Sequence, residues 1–405
     1  MTRVVVTGIG VVTPIGSGRE TFWNGLLGGV SGIRRVTSFD TSAYRVHNGA
    51  EVLGFDAQPY LRRLTAAIIG RTSQLAVAAG RMALFDAGLE AEQLDGRRTG
   101  VSIGTTSGEP LYVEAYNNIR KVDGADAVPD EMMARYPCHV IPVHIAMELG
   151  IHGPCLTIPT ACAAGNYAIG YGFDLIRTGR ADMMLSGGAD AFSRITYMGF
   201  ARLGAIAPDL CQPFDKDRKG MVPGEGAAIL LLERLDKAQE RNATIYAEVR
   251  GLGVSCDAHH MTAPHPSGEG AMRAMTAAMK ESNIAREEVD YISAHGTGTI
   301  TNDRVESLAV SALFGSRAAR IPVSSIKSML GHTMGAASAM EAAACCLALS
   351  TGWVPPTINL EKPDPECGLD YVPNEARRIY PRIVLNNAYA FGGNNASLCL
   401  ARHED

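Results

Sequence analysis

The sequence predicts an α/β protein built as two similar halves, and three observations carry that prediction. At 405 residues the chain is longer than one ordinary core and suits two packed halves. Short β-branched runs alternate with segments of helical spacing. A strand, a small-residue turn and a helix ending in Arg177-Thr178-Gly179 return later as a strand, a turn and a helix ending in Ser350-Thr351-Gly352. Hydrophobic residues make up 46%, charged residues 20%, and there are 44 glycines, a composition for close backbone contacts and against disorder.

In order, residues 3–10 read as a strand, with turn signals at Gly8, Gly10, Pro14 and Gly16 before a helix at about 18–27. Gly8-x-Gly10 is not a dinucleotide fingerprint, because Thr13 stands where the third glycine belongs. Residues 62–88 have helical spacing, 99–103 form a strand, 104–111 a loop and 117–137 a surface excursion. The apolar run at 156–158 reads as a short buried strand, followed by a helix from Cys162 to Gly179. A buried strand at 182–187, a loop to 213, a strand from 227 and a helix at 236–242 complete a first half, residues 1–244. The second half, 245–405, starts again with strands at 245–254, 289–293 and 321–325 and helices at 268–283, 303–314 and 335–352.

A net charge of -5 argues against nucleic acid as the main partner, since phosphate binding needs a basic face. Nine cysteines without CxxC or Cys/His spacing predict no metal and a reducing, cytoplasmic setting. The N-terminus runs directly into a strand, without the pattern of a signal peptide. The apolar stretch 336–352 carries Glu341 and is expected to be a buried helix, with no membrane insertion.

Three turns hold the candidate chemistry. Cys162 falls at a strand-to-helix junction, where free N–H groups and the helix dipole favour a thiolate, below the free value of about 8.5. Its neighbours Ala161, Ala163, Ala164 and Gly165 are small enough to let an acyl group reach the sulfur. His295 lies in YISAHGTGT, and Lys327 and His332 in SIKSMLGHTMG. A buried cysteine or a lone histidine is as readily structural as functional. Taken together, a thiol, two imidazoles and an amine form a set suited to acyl transfer or carbon–carbon bond formation.

With TGIGVVTPIG, TAC, PFDKDRKGMVPGEGAA, AHGTGT, SIKSMLGH, VPPTINL and FGGNN in this order, the chain resembles the elongating β-ketoacyl-(acyl carrier protein) synthases of fatty acid and polyketide synthesis. The resemblance covers almost the whole length. It implies the thiolase fold, five layers αβαβα in two pseudo-symmetric halves, and decarboxylative Claisen condensation of an acyl chain with malonyl carrier protein. It implies that Cys162 accepts the acyl chain, that His295 and His332 donate hydrogen bonds to the enolate as neutral imidazoles, and that the N–H groups of Cys162 and Phe391 form the oxyanion hole. Lys327 is implied to hold the histidine region, with Glu306 pairing with it or ordering a water or ion. Thr297, Thr299 and Thr262 resemble the pantetheine-binding hydroxyls, and Gly392 and Gly393 belong to the gating loop.

No cofactor is implied beyond the phosphopantetheine of the acyl carrier protein, which is the expected partner, together with a homodimer or a heterodimer with a chain-length subunit. Arg62, Arg63, Arg71 and Arg202 are candidates for carrier docking. Two departures bear on substrate. Ala390 replaces the first glycine of the loop usually written GFGGTN, which predicts restricted gating by Phe391. Ser107 stands where relatives carry a bulky aliphatic, and Glu109 follows, which predicts a longer pocket for a specialised, polyene-like or polyketide chain. A silent chain-length subunit and a degradative thiolase using Cys399 are the competing readings.

Overall fold

The structure is a computed structural model and describes residues 2–404. Among these residues ten strands form the main sheet, with the two-residue strand Gly16–Ser17 off its path. In the first half they are β1 (Val4–Thr13), β2 (Thr99–Gly104), β3 (Cys155–Ile158), β4 (Met183–Asp190) and β5 (Gly226–Arg234). In the second they are β6 (Ala247–Cys256), β7 (Tyr291–Ser293), β8 (Val323–Ser324), β9 (Ile383–Tyr389) and β10 (Asn394–Ala401). The order is β3-β2-β4-β5-β1 in one block and β8-β7-β9-β10-β6 in the other. In each block three strands run parallel from the edge and the next two pairings are antiparallel. The blocks meet only where β1 pairs β6, at Val4–Val6.

Six helices cover these blocks: α1 (Arg71–Asp86), α2 (Val140–Leu149), α3 (Ala164–Arg177), α4 (Glu269–Ser282), α5 (Ile300–Phe314) and α6 (Ala337–Thr351). Helices α1 and α2 pack outside the first block and α4 and α5 outside the second, while α3 and α6 lie between the two blocks. That is the five-layer αβαβα thiolase arrangement. Strand β1 is buried on both faces, as a central strand with helices on either side must be. Its two glycines serve packing: a Cβ at Gly8 would stand 2.1 Å from the Ala83 carbonyl of α1, and one at Gly10 1.8 Å from that of Ala79.

The run Met334–Thr351 is long and apolar enough to cross a membrane, but 89% of it is buried inside the protein. It is apolar on every side because it is covered on every side. Between the middle layer and β9, the Asn166 amide donates to the Asn386 carbonyl at 2.9 Å, and Asn386 returns a bond to Asn166 Oδ1 at 2.8 Å. Losing one partner of such a buried pair costs about 1–3 kcal/mol.

The structure departs from the sequence reading in several places, the helices Pro110–Asp123 and Arg194–Arg202 inside stretches read as loop or surface excursion among them. Residues 62–70 are not helical; the N–H groups of Arg62, Arg63 and Leu64 donate instead to the Glu148 carboxylate at 2.7, 3.0 and 2.9 Å. Strand β3 is half-buried and Cys155 exposed, because β3 is an edge strand with a neighbour on one side only. The hairpin β9–β10 was not legible in the sequence, since both of its strands are covered on both faces and show no alternation.

Candidate active site

Between β3 and α3 the chain bends through a 3-10 turn, Ala161–Ala163, with Ala161 at φ 49. A non-glycine residue there carries strain of about 1–2 kcal/mol. The bend places Cys162 at the head of α3, 7% exposed. Burial pushes its thiol up to about 11, and Lys327 and the backbone N–H groups of Cys162 and Phe391 pull the other way. The expected lowering by the helix terminus is therefore outweighed by desolvation. Alkylation of Cys162 by iodoacetamide, followed by mass spectrometry, is expected to accelerate about tenfold per pH unit through pH 9. A plateau below pH 8 contradicts this environment.

The other two turns meet Cys162 from the second half. His295 follows β7 and His332 follows the short helix Lys327–Leu330. The Cys162 sulfur and one ring nitrogen of each histidine lie within 4.8 Å of one another. The two imidazoles sit edge to face at 5.6 Å, and both are nearly inaccessible. Burial, reinforced by Lys327, holds both well below the ordinary histidine range, so both are neutral. The Met334 N–H donates to His332 Nδ1 at 3.1 Å, and the Lys327 ammonium lies 3.4 Å from His295 Nδ1. With each Nδ1 facing a donor, each ring carries its proton on Nε2.

Lys327 is buried and ion-paired with Glu341 of α6, and donates to the His295 carbonyl at 2.6 Å. Its carboxylate partner is thus Glu341, not Glu306. Glu306, midway along α5, instead accepts from the N–H groups of His295 and Gly296, each at 2.8 Å, and fixes that turn. Burial raises Glu341 to about 7 despite the lysine. Lys327→Met is expected to cost about 3 kcal/mol, because it strands a buried carboxylate. In that variant Glu341 stays protonated when folded but ionises when unfolded above its ordinary value of 4.5, so stability falls as pH rises. Thermal unfolding from pH 5 to 8 checks this, and Lys327→Met with Glu341→Met is expected to recover the loss.

These groups open into a cavity of about 360 Å³ whose wall includes Thr262, Thr297 and Thr299. The Thr297 and Thr299 hydroxyls lie 2.8 Å apart. Phe391 stands at the mouth, 38% exposed, its ring 5.7 Å from that of Phe200. The loop behind it turns through Gly392 at φ 81 and Gly393 at φ 76, which only glycine adopts without strain. Gly392 donates to the Met261 carbonyl at 2.8 Å. Ala390, by contrast, is extended at φ -113, so alanine costs nothing there and the expected restriction is absent in this conformation.

Other expectations are corrected. Glu109 does not face an acyl tail; its buried carboxylate accepts from the N–H groups of Thr72 and Ser73 at 3.1 and 2.8 Å and caps α1, where Gly70 offers no side chain. Ser107 lies outside the cavity, its N–H on Asp190 and its hydroxyl 3.2 Å from that of Thr196. Arg71 is committed to Glu225 through two bonds of 2.9 and 2.7 Å, and Arg62 and Arg63 are exposed away from the cavity wall. Arg202 is exposed at the end of the helix Arg194–Arg202, beside the wall residues Phe200 and Leu203. Cys399 is fully buried in the cluster beneath α4 and does not reach the cavity. Lys219 and Tyr389, both on the cavity wall, and Glu341 were missed. Lys219 stands inside the quoted PFDKDRKG motif, a signal that was available.

Residues 1–238 match the family described as β-ketoacyl synthase, N-terminal domain, and residues 246–361 match the C-terminal domain of the same family. The chain is 42% identical over 409 residues to a 3-oxoacyl-[acyl-carrier-protein] synthase 2 of Synechocystis, covering 99% of this chain and 98% of that one. Among solved structures it is similar to the ishigamide ketosynthase/chain length factor, at 45% identity and a TM-score of 0.96 over all of both chains. It is also similar to a type II polyketide ketosynthase solved with its acyl-carrier protein, at 34% identity and a TM-score of 0.91 over all of both chains.

Proposed function

Because this chain belongs to the β-ketoacyl synthase family, a family of condensing acyltransferases, we propose that Cys162, His295 and His332 carry a decarboxylative Claisen condensation between a bound acyl chain and malonyl carrier protein. The observation that supports this assignment of roles is the convergence of the thiol and the two neutral imidazoles within 4.8 Å. In acyl transfer the Cys162 sulfur attacks the carrier thioester, and its proton ends on the departing pantetheine thiol. The malonyl thioester then loses carbon dioxide, and the electron pair of the broken bond becomes an enolate. The Nε2–H groups of His295 and His332 donate to the enolate oxygen. The enolate carbon attacks the acyl carbonyl on Cys162, the N–H groups of Cys162 and Phe391 hold the oxyanion, and collapse expels the Cys162 thiolate. One such donor is worth about 2.7–4 kcal/mol in the transition state.

The pantetheine arm runs along Thr297, Thr299 and Thr262, and Phe391 gates the mouth on the Gly392-Gly393 hinge. The acyl carrier protein is the partner, and no resident cofactor enters the reaction. Arg202 contributes to docking the acidic carrier. A second ketosynthase-like subunit, identical or of the chain-length type, pairs with this one, and the open edge of β3 supports this. The halves divide at residue 244/245, between the helix Leu235–Glu240 and β6. Nine free thiols suit a cytoplasmic setting.

Similarity to the ishigamide ketosynthase/chain length factor and to a type II polyketide ketosynthase supports a specialised, polyene-like or polyketide chain. Offering a panel of acyl carriers of varied length and unsaturation, and reading acyl-Cys162 and condensed product by mass spectrometry, tests this reading. A chain-length profile indistinguishable from that of a housekeeping fatty acid enzyme contradicts it.

A further inference from the structure

We propose that Asp190 is a positioning residue for decarboxylation: it holds the turn after His332 so that the ring keeps Nδ1 occupied and offers Nε2–H to the substrate. This rests on the role given to His332 above. Asp190 is the last residue of β4 and is fully buried. No lysine or arginine ion-pairs with it among the described residues. Its carboxylate is satisfied by four donors instead. Oδ1 accepts from the Thr105 hydroxyl at 2.8 Å and the Ser107 N–H at 2.9 Å. Oδ2 accepts from the Thr106 N–H at 2.7 Å and the Gly335 N–H at 2.6 Å.

Three of those donors belong to the loop after β2, and the fourth to the turn Met334–Ala336 that follows His332. One side chain thus ties the turn behind an active-site histidine to the scaffold of the first half. The fit is close: a Cβ on Gly335 would come within 2.7 Å of Asp190 Oδ2, and one on Gly188 within 2.4 Å of the Gly335 carbonyl. Met334, next to Gly335, is held at φ 55, an unfavourable angle for a side chain. Its N–H is the donor to His332 Nδ1. The backbone of His332 is fixed separately, to Val222 and Gly224 at 2.6 and 2.8 Å, but those bonds leave the ring free to turn. The ring's tautomer therefore depends on Met334, and the strained Met334 turn is anchored by Asp190.

Asparagine has one acceptor oxygen where aspartate has two, so Asp190→Asn cannot serve all four donors. In this variant, transfer of an acyl chain to Cys162, read by mass spectrometry in a single turnover, is expected to stay within about threefold of wild type. Decarboxylation of malonyl carrier protein is expected to fall at least about tenfold in kcat, with little change in KM. Nitrogen-15 NMR of labelled histidines is expected to show His332 protonated on Nε2 in the wild type and a mixed tautomer in the variant. Equal loss in both half-reactions, or no loss, in a variant of wild-type Tm overturns the proposal. If Asp190→Asn fails to fold, Gly335→Ala, whose methyl group meets Asp190 and Thr105 and so displaces the same turn, must give the same split. A wild-type His332 protonated on Nδ1 also overturns it, whatever the activity. If the wild-type protein neither loads acyl chains nor decarboxylates, the functional reading fails instead, and the NMR result still decides this one.

Discussion

Cys162→Ala is expected to abolish condensation, by at least about 10⁴-fold, while leaving decarboxylation of malonyl carrier protein in place. The split follows from the geometry. In the proposed reaction the thiol is the nucleophile on whose ester the new bond is built, and none of the eight other cysteines can replace it there, because none lines the cavity. The enolate, in the same proposed reaction, is held by His295 and His332, and neither depends on the sulfur for its position. His332 is fixed by Val222, Gly224 and Met334, and His295 by Glu306 and Lys327. Alanine removes one buried sulfur next to small residues, a loss of a few kcal/mol of stability at most. The measurement is release of carbon dioxide from malonyl carrier protein beside product formation, in the same preparation. Loss of both activities at wild-type stability places Cys162 in the decarboxylation step as well.

His295→Ala and His332→Ala are expected to show the reverse pattern. Acyl-Cys162 is expected to form still, because the proposed oxyanion donors for that step are backbone N–H groups that neither substitution removes. Decarboxylation falls by about 10²–10⁴-fold in each, the range for a donor aimed at charge that develops in the transition state. Both rings are neutral through burial, so wild-type decarboxylation should show no loss as pH rises through 6.5, where an ordinary histidine gives up its proton. A rate that follows a histidine titration near 6.5 would falsify the hydrogen-bond-donor role.

Much of this site was legible in the sequence because its parts are turns that follow strands, and turn chemistry is local. Cys162, His295 and His332 each sit among small residues and glycines, and the matched strand-turn-helix units indicated that the turns would face each other. What was not legible depends on distant partners. The Lys327–Glu341 pair joins a turn to a helix whose uniform alanine-rich surface gives no face to read. The cap that Glu109 supplies to α1 spans 36 residues, so its carboxylate appeared to be a substrate contact. The thiol's acidity was misjudged for the same reason: the helix terminus is visible in the sequence, but the burial that outweighs it is a property of the assembled layers. Gly8 and Gly10 are marks of how closely α1 approaches β1.

If one thiol and two neutral imidazoles divide the reaction between them, their shares separate in three proteins assayed side by side. Wild type, Cys162→Ala and His332→Ala are each incubated with acyl carrier protein bearing a short acyl chain and with malonyl carrier protein. Intact-protein mass spectrometry reads the acyl-enzyme, and the carrier species are read alongside. The expected products are a β-ketoacyl carrier with the wild type, decarboxylated carrier without acyl-enzyme for Cys162→Ala, and acyl-Cys162 without decarboxylation for His332→Ala. Acyl-enzyme in Cys162→Ala, or wild-type decarboxylation in His332→Ala, contradicts this division.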